Sequence, residues 1–262
     1  MKRVFTIFVV CLAALYATGF VCDYYYKKYW KAFFEKFDVI YQDTTRYDGI
    51  YIGDSRVHFG INPKITDSVL SMNTFNIGIG GSGIRENYFL TQRYLEHHPP
   101  PAFAVLSVSY YGILKSSHSF VNPCYYLFYT SDRATDNALA AEGYHTSLFK
   151  FIPAVKYTAF DDFNKLSIAE GIKGNTIVKD NGVSCKGFIN NQTNSFNSNE
   201  LKNEKDNEGV SYKDFSTLEK LIQLLKSYHI QPILLYPPGL TSSSAEKTVP
   251  EKKVDSVIAL YA

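Results

Sequence analysis

The chain opens on nineteen residues, Val4 to Cys22, without a charged side chain. As a helix they reach about 28 Å, close to the thickness of a bilayer core. Lys2 and Arg3 precede the run, and Tyr24, Tyr25, Tyr26, Tyr29 and Trp30 follow it as an interfacial belt would. This pattern predicts a membrane anchor with its interfacial segment over residues 1–31, the amino terminus inside. A cleaved signal peptide, with Ala17-Thr18-Gly19 as a small-x-small site, is the rival reading; the run is longer than a usual h-region, which favours the anchor. Both readings put the body outside the cytoplasm, and the first makes the protein single-pass.

Beyond the anchor, short apolar runs end in small or polar residues: Gly49–Ile52, Thr74–Ile79, Ala102–Val108 and Pro232–Tyr236. Between the second and third, Ile84, Tyr88, Thr91 and Leu95 share one face of a helix. Phe215, Leu218, Leu221, Ile222 and Leu225 do the same before the fourth, and Asn62-Pro63 seeds a helix after the first. Strand–helix–strand alternation predicts an α/β domain over 46–262, a parallel sheet with helices on both faces. Residues 110–210 break the alternation. They hold a helix near Ser147–Phe160 kinked at Pro153, a hairpin turn at Asp180-Asn181-Gly182, and an Asn-rich solvated loop over 190–207. The stretch reads as an insertion after strand three that could close over the strand ends.

Composition narrows the function. Aromatic residues at 16% exclude a disordered chain. Residues 1–31 hold five of the 27 cations and one of the 25 anions, leaving 22 cations against 24 anions in the body. That body lacks the basic footprint of a nucleic-acid binder. No His/Cys/Asp cluster has ligand spacing, so no metal and no other cofactor is expected. Cys124 and Cys185, the two body cysteines, either pair in an oxidising compartment or remain buried thiols.

Two loops carry candidate chemistry. Gly53-Asp54-Ser55-Arg56 directly follows the first strand, so the Ser55 hydroxyl is held at a strand end where it could attack a carbonyl. The plain alternative is a helix cap made by Asp54 or Ser55. Asn76-Ile77-Gly78-Ile79-Gly80-Gly81-Ser82-Gly83 satisfies G-x-G-x-x-G, but it follows the second strand, and the third strand ends in Ser107 and Ser109 where a ribose-binding acid belongs. The glycines then serve a tight turn.

As a pair, Gly53-Asp54-Ser55 and Asn-x-Gly-x-Gly-Gly resemble the SGNH (GDSL-type) hydrolases, and the run from Gly53 to Pro63 is most similar to their membrane-anchored, cell-envelope members. Asp180-Asn181-Gly182 and the Leu-Leu-Tyr-Pro-Pro strand end at 234–238 also resemble that group. The resemblance covers residues 46–110 and 213–240. It implies a three-layer, flavodoxin-like α/β fold. It implies Ser55 as nucleophile and oxyanion donor, with the Gly81 backbone N–H (or Gly80, one register away) as second donor. Where the family has its third donor, an Asn, this chain has Tyr111. Arg56 would contact an anionic substrate group or be structural.

The family's base is a His in an Asp-x-x-His motif after the final strand, and no His follows Tyr236. His58, three residues after Ser55, would approach its hydroxyl if the segment is helical. His97 and His98 are expected at a solvent-exposed helix end, His118 lies in the insertion, His229 precedes the last strand, and Glu142-Gly143-Tyr144-His145 has acid-x-x-base spacing before it. Three explanations stand: a chain truncated at its C-terminus (the preferred one), another His as base, or a non-catalytic relative. The implied function is an extracytoplasmic serine esterase or O-acyltransferase working through an acyl-serine intermediate on cell-envelope or other surface glycans. A glycan-binding or assembly protein on the same fold is the alternative.

Overall fold

The apolar run Gly49-Ile50-Tyr51-Ile52 forms strand β1 (Gly49–Ile52), buried along its whole length as a central parallel strand must be. The computed structural model describes residues 1–108, 113, 119–177, 184–189 and 212–236. They fall into two compact units, Glu35–Val121 with Asp180–Ala262 and Met1–Phe34 with Asn122–Lys179.

The first unit holds the sheet. β1 pairs in parallel with β2 (Thr74–Asn76) on one side and β3 (Phe103–Ser107) on the other. β3 pairs in parallel with β6 (Gln231–Leu235) at the far edge. The spatial order β2-β1-β3-β6 reverses direction between β1 and β3, the switch point of an open α/β sheet. All four strands coincide with the apolar runs of the sequence. β2 stops three residues early because the Asn76 side chain accepts the Gly78 N–H (2.9 Å), turning the backbone out of the strand.

After β1 come α3 (Ser55–Gly60) and α4 (Pro63–Leu70), the latter started as the sequence suggests: Asn62 Oδ1 accepts the Lys64 N–H and Pro63 takes the first position. α5 (Ile84–His97) joins β2 to β3 and buries Ile84, Leu90, Thr91 and Leu95. α10 (Tyr212–Ser227) precedes β6, buries Leu218, Leu221, Ile222 and Leu225, and packs on α5. A 2.8 Å ion pair from Arg85 Nε to the buried Asp214 joins the two helices.

A small hairpin, β4 (Ser184–Cys185) and β5 (Phe188–Ile189), continues this unit. Its two-residue turn is Lys186-Gly187, both with positive φ, as a type I′ turn requires. The Lys186 carbonyl accepts the Asn76 N–H (2.9 Å), fixing the hairpin beside β2. The expected turn at Asp180-Asn181-Gly182 and the Asn-rich loop lie outside the described residues.

The second unit is helical. α1 (Lys2–Tyr29) is long and apolar enough to cross a membrane, and every residue to Thr18 is exposed. From Gly19 onward α1 packs on the 3₁₀ segment Pro153–Ala159 and on α9 (Asp162–Ile172). Tyr26 and Trp30, expected in an interfacial belt, are core residues of this unit. Tyr26 meets Phe34, Phe128 and Phe160, and Trp30 meets Phe33, Tyr125 and Phe163, at 4.9–5.9 Å between ring centroids. Short helices α6 (Pro123–Tyr126), α7 (Arg133–Ala141) and α8 (Thr146–Phe151) complete the unit. The helix expected near 147–160 divides at Ile152, since Pro153 has no N–H to continue the α ladder. All four cysteines are free thiols. Burial, with the Asp161 charge second, pushes the Cys124 thiol up to about 12.

Candidate active site at the carboxyl edge of the sheet

The loop after β1 is built by exclusion and capping. A Cβ on Gly53 would lie 2.5 Å from Val57 Cγ2 and 2.7 Å from Ser107 Cβ, at φ +157°, so only glycine lets α3 turn back against the end of β3. Asp54 caps α3: Oδ1 accepts the Arg56 N–H (3.0 Å) and Oδ2 pairs with Arg56 Nη2 (3.0 Å). The capping role therefore falls to Asp54, and Arg56, the candidate substrate contact, turns its guanidinium back to that cap. Ser55 is the first residue of α3 and is exposed. Among the described residues neither its hydroxyl nor its N–H has a hydrogen-bond partner.

The glycine loop after β2 is tied to this turn from several sides. The Gly53 carbonyl accepts the Ile79 N–H (3.0 Å) and the Ser82 hydroxyl (3.1 Å). Asn76 Nδ2 donates to Val57 O (2.7 Å) and Ile61 O (2.8 Å), bracing both ends of α3. The Gly80 N–H donates to His58 Nδ1 (2.9 Å), and the Ser82 N–H to Ile79 O (3.1 Å). The amides of Gly78, Ile79, Gly80 and Ser82 are thus spent on protein acceptors, and a phosphate cradle would need them. Gly81 (φ +82°) is exposed, and its N–H has no acceptor among the described residues. The two sequence-predicted donors, Ser55 and Gly81, thus sit on two loops knotted together through Gly53. Tyr111 lies outside the described residues.

Two buried residues behind the loops carry no motif. Lys36, on α2 (Lys31–Gln42), is 1% exposed and donates from Nζ to the Gly78 carbonyl. Burial pulls its ammonium well below the usual lysine range. His58 is fully buried; burial first, and the Lys36 charge second, hold its imidazole well below the usual histidine range. Neutral His58 carries its proton on Nε2, because Nδ1 accepts from Gly80. It is a brace for the glycine loop. Glu86, on the first turn of α5 and 1% exposed, accepts the Val121 N–H (3.1 Å); the Val121 side chain lies 3.2 Å from where a Gly81 Cβ would be. Ser107, buried at the end of β3 beside Gly53, leaves its hydroxyl without a hydrogen bond among the described residues.

The remaining histidines are elsewhere. His97 ends α5 and His229 precedes β6, so both stand at the amino edge of the sheet, opposite Ser55. His98, expected to be exposed, is buried: its Nδ1 lies 2.9 Å from Thr45 O and its Nε2 2.7 Å from Val39 O. His145 begins α8 in the helical unit, and His118 is outside the described residues. No family model, curated protein or solved structure matches the chain.

Proposed function

We propose that the sheet unit is an SGNH-like, membrane-anchored, extracytoplasmic esterase or O-acyltransferase with Ser55 as its nucleophile, acting on acylated glycans of the cell envelope or another surface. The observation that carries this reading is the setting of Ser55. It follows the central strand at the switch point of a parallel sheet, exposed and with its hydroxyl unbonded among the described residues, on a loop locked to the one bearing the unspent Gly81 amide. In this reading Ser55 Oγ attacks the ester carbonyl as its proton passes to a general base, and the Ser55 and Gly81 amides hold the oxyanion. Collapse breaks the ester C–O bond and releases the alcohol with that proton; water or a glycan hydroxyl, deprotonated in turn, then takes the acyl group and frees Ser55. With the right-handed crossovers that parallel sheets generally have, the order β2-β1-β3-β6 implies α5 and α10 on one face and α3 and α4 on the other, which supports the three-layer reading. The base lies outside the residues so far assigned, since His58 is committed to Gly80.

The test is hydrolysis of small acetyl esters and of acetylated glycans by the full reading frame and by Ser55→Ala. A rate at least 100-fold lower in the variant is expected, and equal rates would sink the nucleophile. One observation favours the second reading, a glycan-binding or assembly protein: no side chain among the described residues reaches the Ser55 hydroxyl to activate it. Glycan binding retained by an inactive wild type and by Ser55→Ala alike would support it.

A further inference from the structure

The helical unit runs alongside the lower half of α1 in a fixed register. Gly19 faces Pro153 and Ala154 so closely that a Cβ there would lie 2.7 Å from the Pro153 Cβ and from the Ala154 N. One turn on, Asp23 accepts from Lys156 Nζ (2.8 Å) and from the Tyr157 hydroxyl. A further turn on, Tyr26 meets Phe160 and donates to Asn164 Oδ1 (2.5 Å). Trp30 then meets Phe163. The 3₁₀ segment therefore travels in the same direction as α1 and starts at the level of Gly19, so the end of α8, which leads into Pro153, lies near that level.

Gly19 belongs to the uncharged run that ends at Cys22. Asp23, paired with a lysine, marks where charge returns, four residues or about 6 Å along the axis. The corner formed by α8 and Pro153 thus sits one turn inside the apolar level. Its exposed side chains suit that depth: Phe151 is 78% and Leu148 46% exposed, three residues apart on one face of α8, while Phe149 turns inward. Lys150, the cation between them, is turned aside to Asp136 (2.7 Å). Amphipathic segments at bilayer surfaces bury their apolar face about 5–10 Å deep, the depth this register sets.

The geometry points to a second membrane contact: the α8–Pro153 corner, through Leu148 and Phe151, inserts into the lipid headgroup–acyl boundary beside α1. The occupant is phospholipid, fixed by continuity with the anchor face. This rests on α1 being an uncleaved transmembrane anchor and is independent of Ser55 chemistry. Such a contact would fix the tilt of the helical unit at the membrane, which a single helix and a flexible tether would leave free.

The test places a photoreactive benzoyl-phenylalanine singly at positions 151, 148, 10 and 162 of the full chain, reconstituted in phosphatidylethanolamine–phosphatidylglycerol vesicles. Asp162 is the wet control, exposed next to Phe163 at the Trp30 level, about 16 Å along the axis from Gly19. Mass spectrometry after irradiation should find phospholipid adducts at 151, 148 and 10, at least tenfold above position 162. Adducts at 10 without any at 151 or 148 overturn the second contact and leave the anchor standing. No adduct at 10 overturns the anchor and the inference with it, and a protein–protein adduct at 151 assigns the patch to another partner and refutes the proposal. As a second variant, Phe151→Asp with Leu148→Asp should keep the protein in the membrane fraction but raise protease cleavage within α8 severalfold; unchanged cleavage contradicts a lipid-covered corner.

Discussion

Asn76 is the residue on which the two loops of the candidate site depend, and its replacement tests that dependence. In Asn76→Ala three hydrogen bonds vanish: those donated to Val57 O and Ile61 O and the one accepted from the Gly78 N–H. Val57 O keeps the Ile61 N–H (3.1 Å), but the Gly78 N–H is left buried without its acceptor. At about 1 kcal/mol net for each bond, the substitution costs about 3 kcal/mol, localised in α3 and the glycine loop. The assay is amide exchange by mass spectrometry on the full chain in micelles. If opening is local, exchange over residues 77–81 should accelerate roughly 100-fold, since each 1.4 kcal/mol is a factor of ten. Asn76→Asp should be worse at neutral pH, because it directs a carboxylate at two carbonyl oxygens, with its deficit shrinking as the acid is protonated and regains one donor. Exchange over 77–81 within threefold of wild type in the alanine variant would refute the claim that Asn76 holds the loops together.

Three further outcomes follow from the same geometry. Gly53→Ala, with its Cβ 2.5 Å from Val57 Cγ2 at a left-handed φ, should destabilise the sheet unit by about 1–3 kcal/mol in urea titrations, and an unchanged midpoint would contradict the close approach. Because the folded His58 titrates below its unfolded value, the unfolded chain takes up a proton first as pH falls below about 6.5; stability should drop through that window, and less steeply in His58→Gln. Cys124, buried with its thiol pushed up to about 12, should resist alkylation at pH 8 at least 100-fold longer than in urea, and comparable rates would place it at the surface.

The sheet was legible because each strand is a short apolar run closed by small residues, and helices α5 and α10 announce themselves by the spacing of Ile84, Tyr88, Thr91 and Leu95 and of Leu218, Leu221, Ile222 and Leu225. The loops at the strand ends were legible too, as glycines directly after an apolar run, although the close approach at Gly53 and the hydrogen bonds of Asn76 emerge only in the fold. What lay hidden depends on tertiary placement. Lys36 sits in a helix whose pattern gives no hint that this cation, rather than its neighbours, meets a glycine carbonyl. His98 follows a helix end and precedes three prolines, a surface signature, yet it fills a pocket between Val39 O and Thr45 O. Tyr26 and Trp30 match an interfacial belt by sequence, but residues more than ninety positions later supply the aromatic partners that bury them. The hairpin turn at Lys186-Gly187 carries no strong sequence signal because lysine replaces the usual Asn or Asp at its first position.

The central claim is that Ser55 is a nucleophile, and its most direct test is covalent capture. The full reading frame in micelles is exposed to a fluorophosphonate or an activated acetyl ester, and the adduct is mapped by peptide mass spectrometry. The account predicts one adduct, on Ser55, absent from Ser55→Ala and from the unfolded chain. A folded wild-type protein that acquires no adduct on Ser55, or acquires it equally after unfolding, would contradict it.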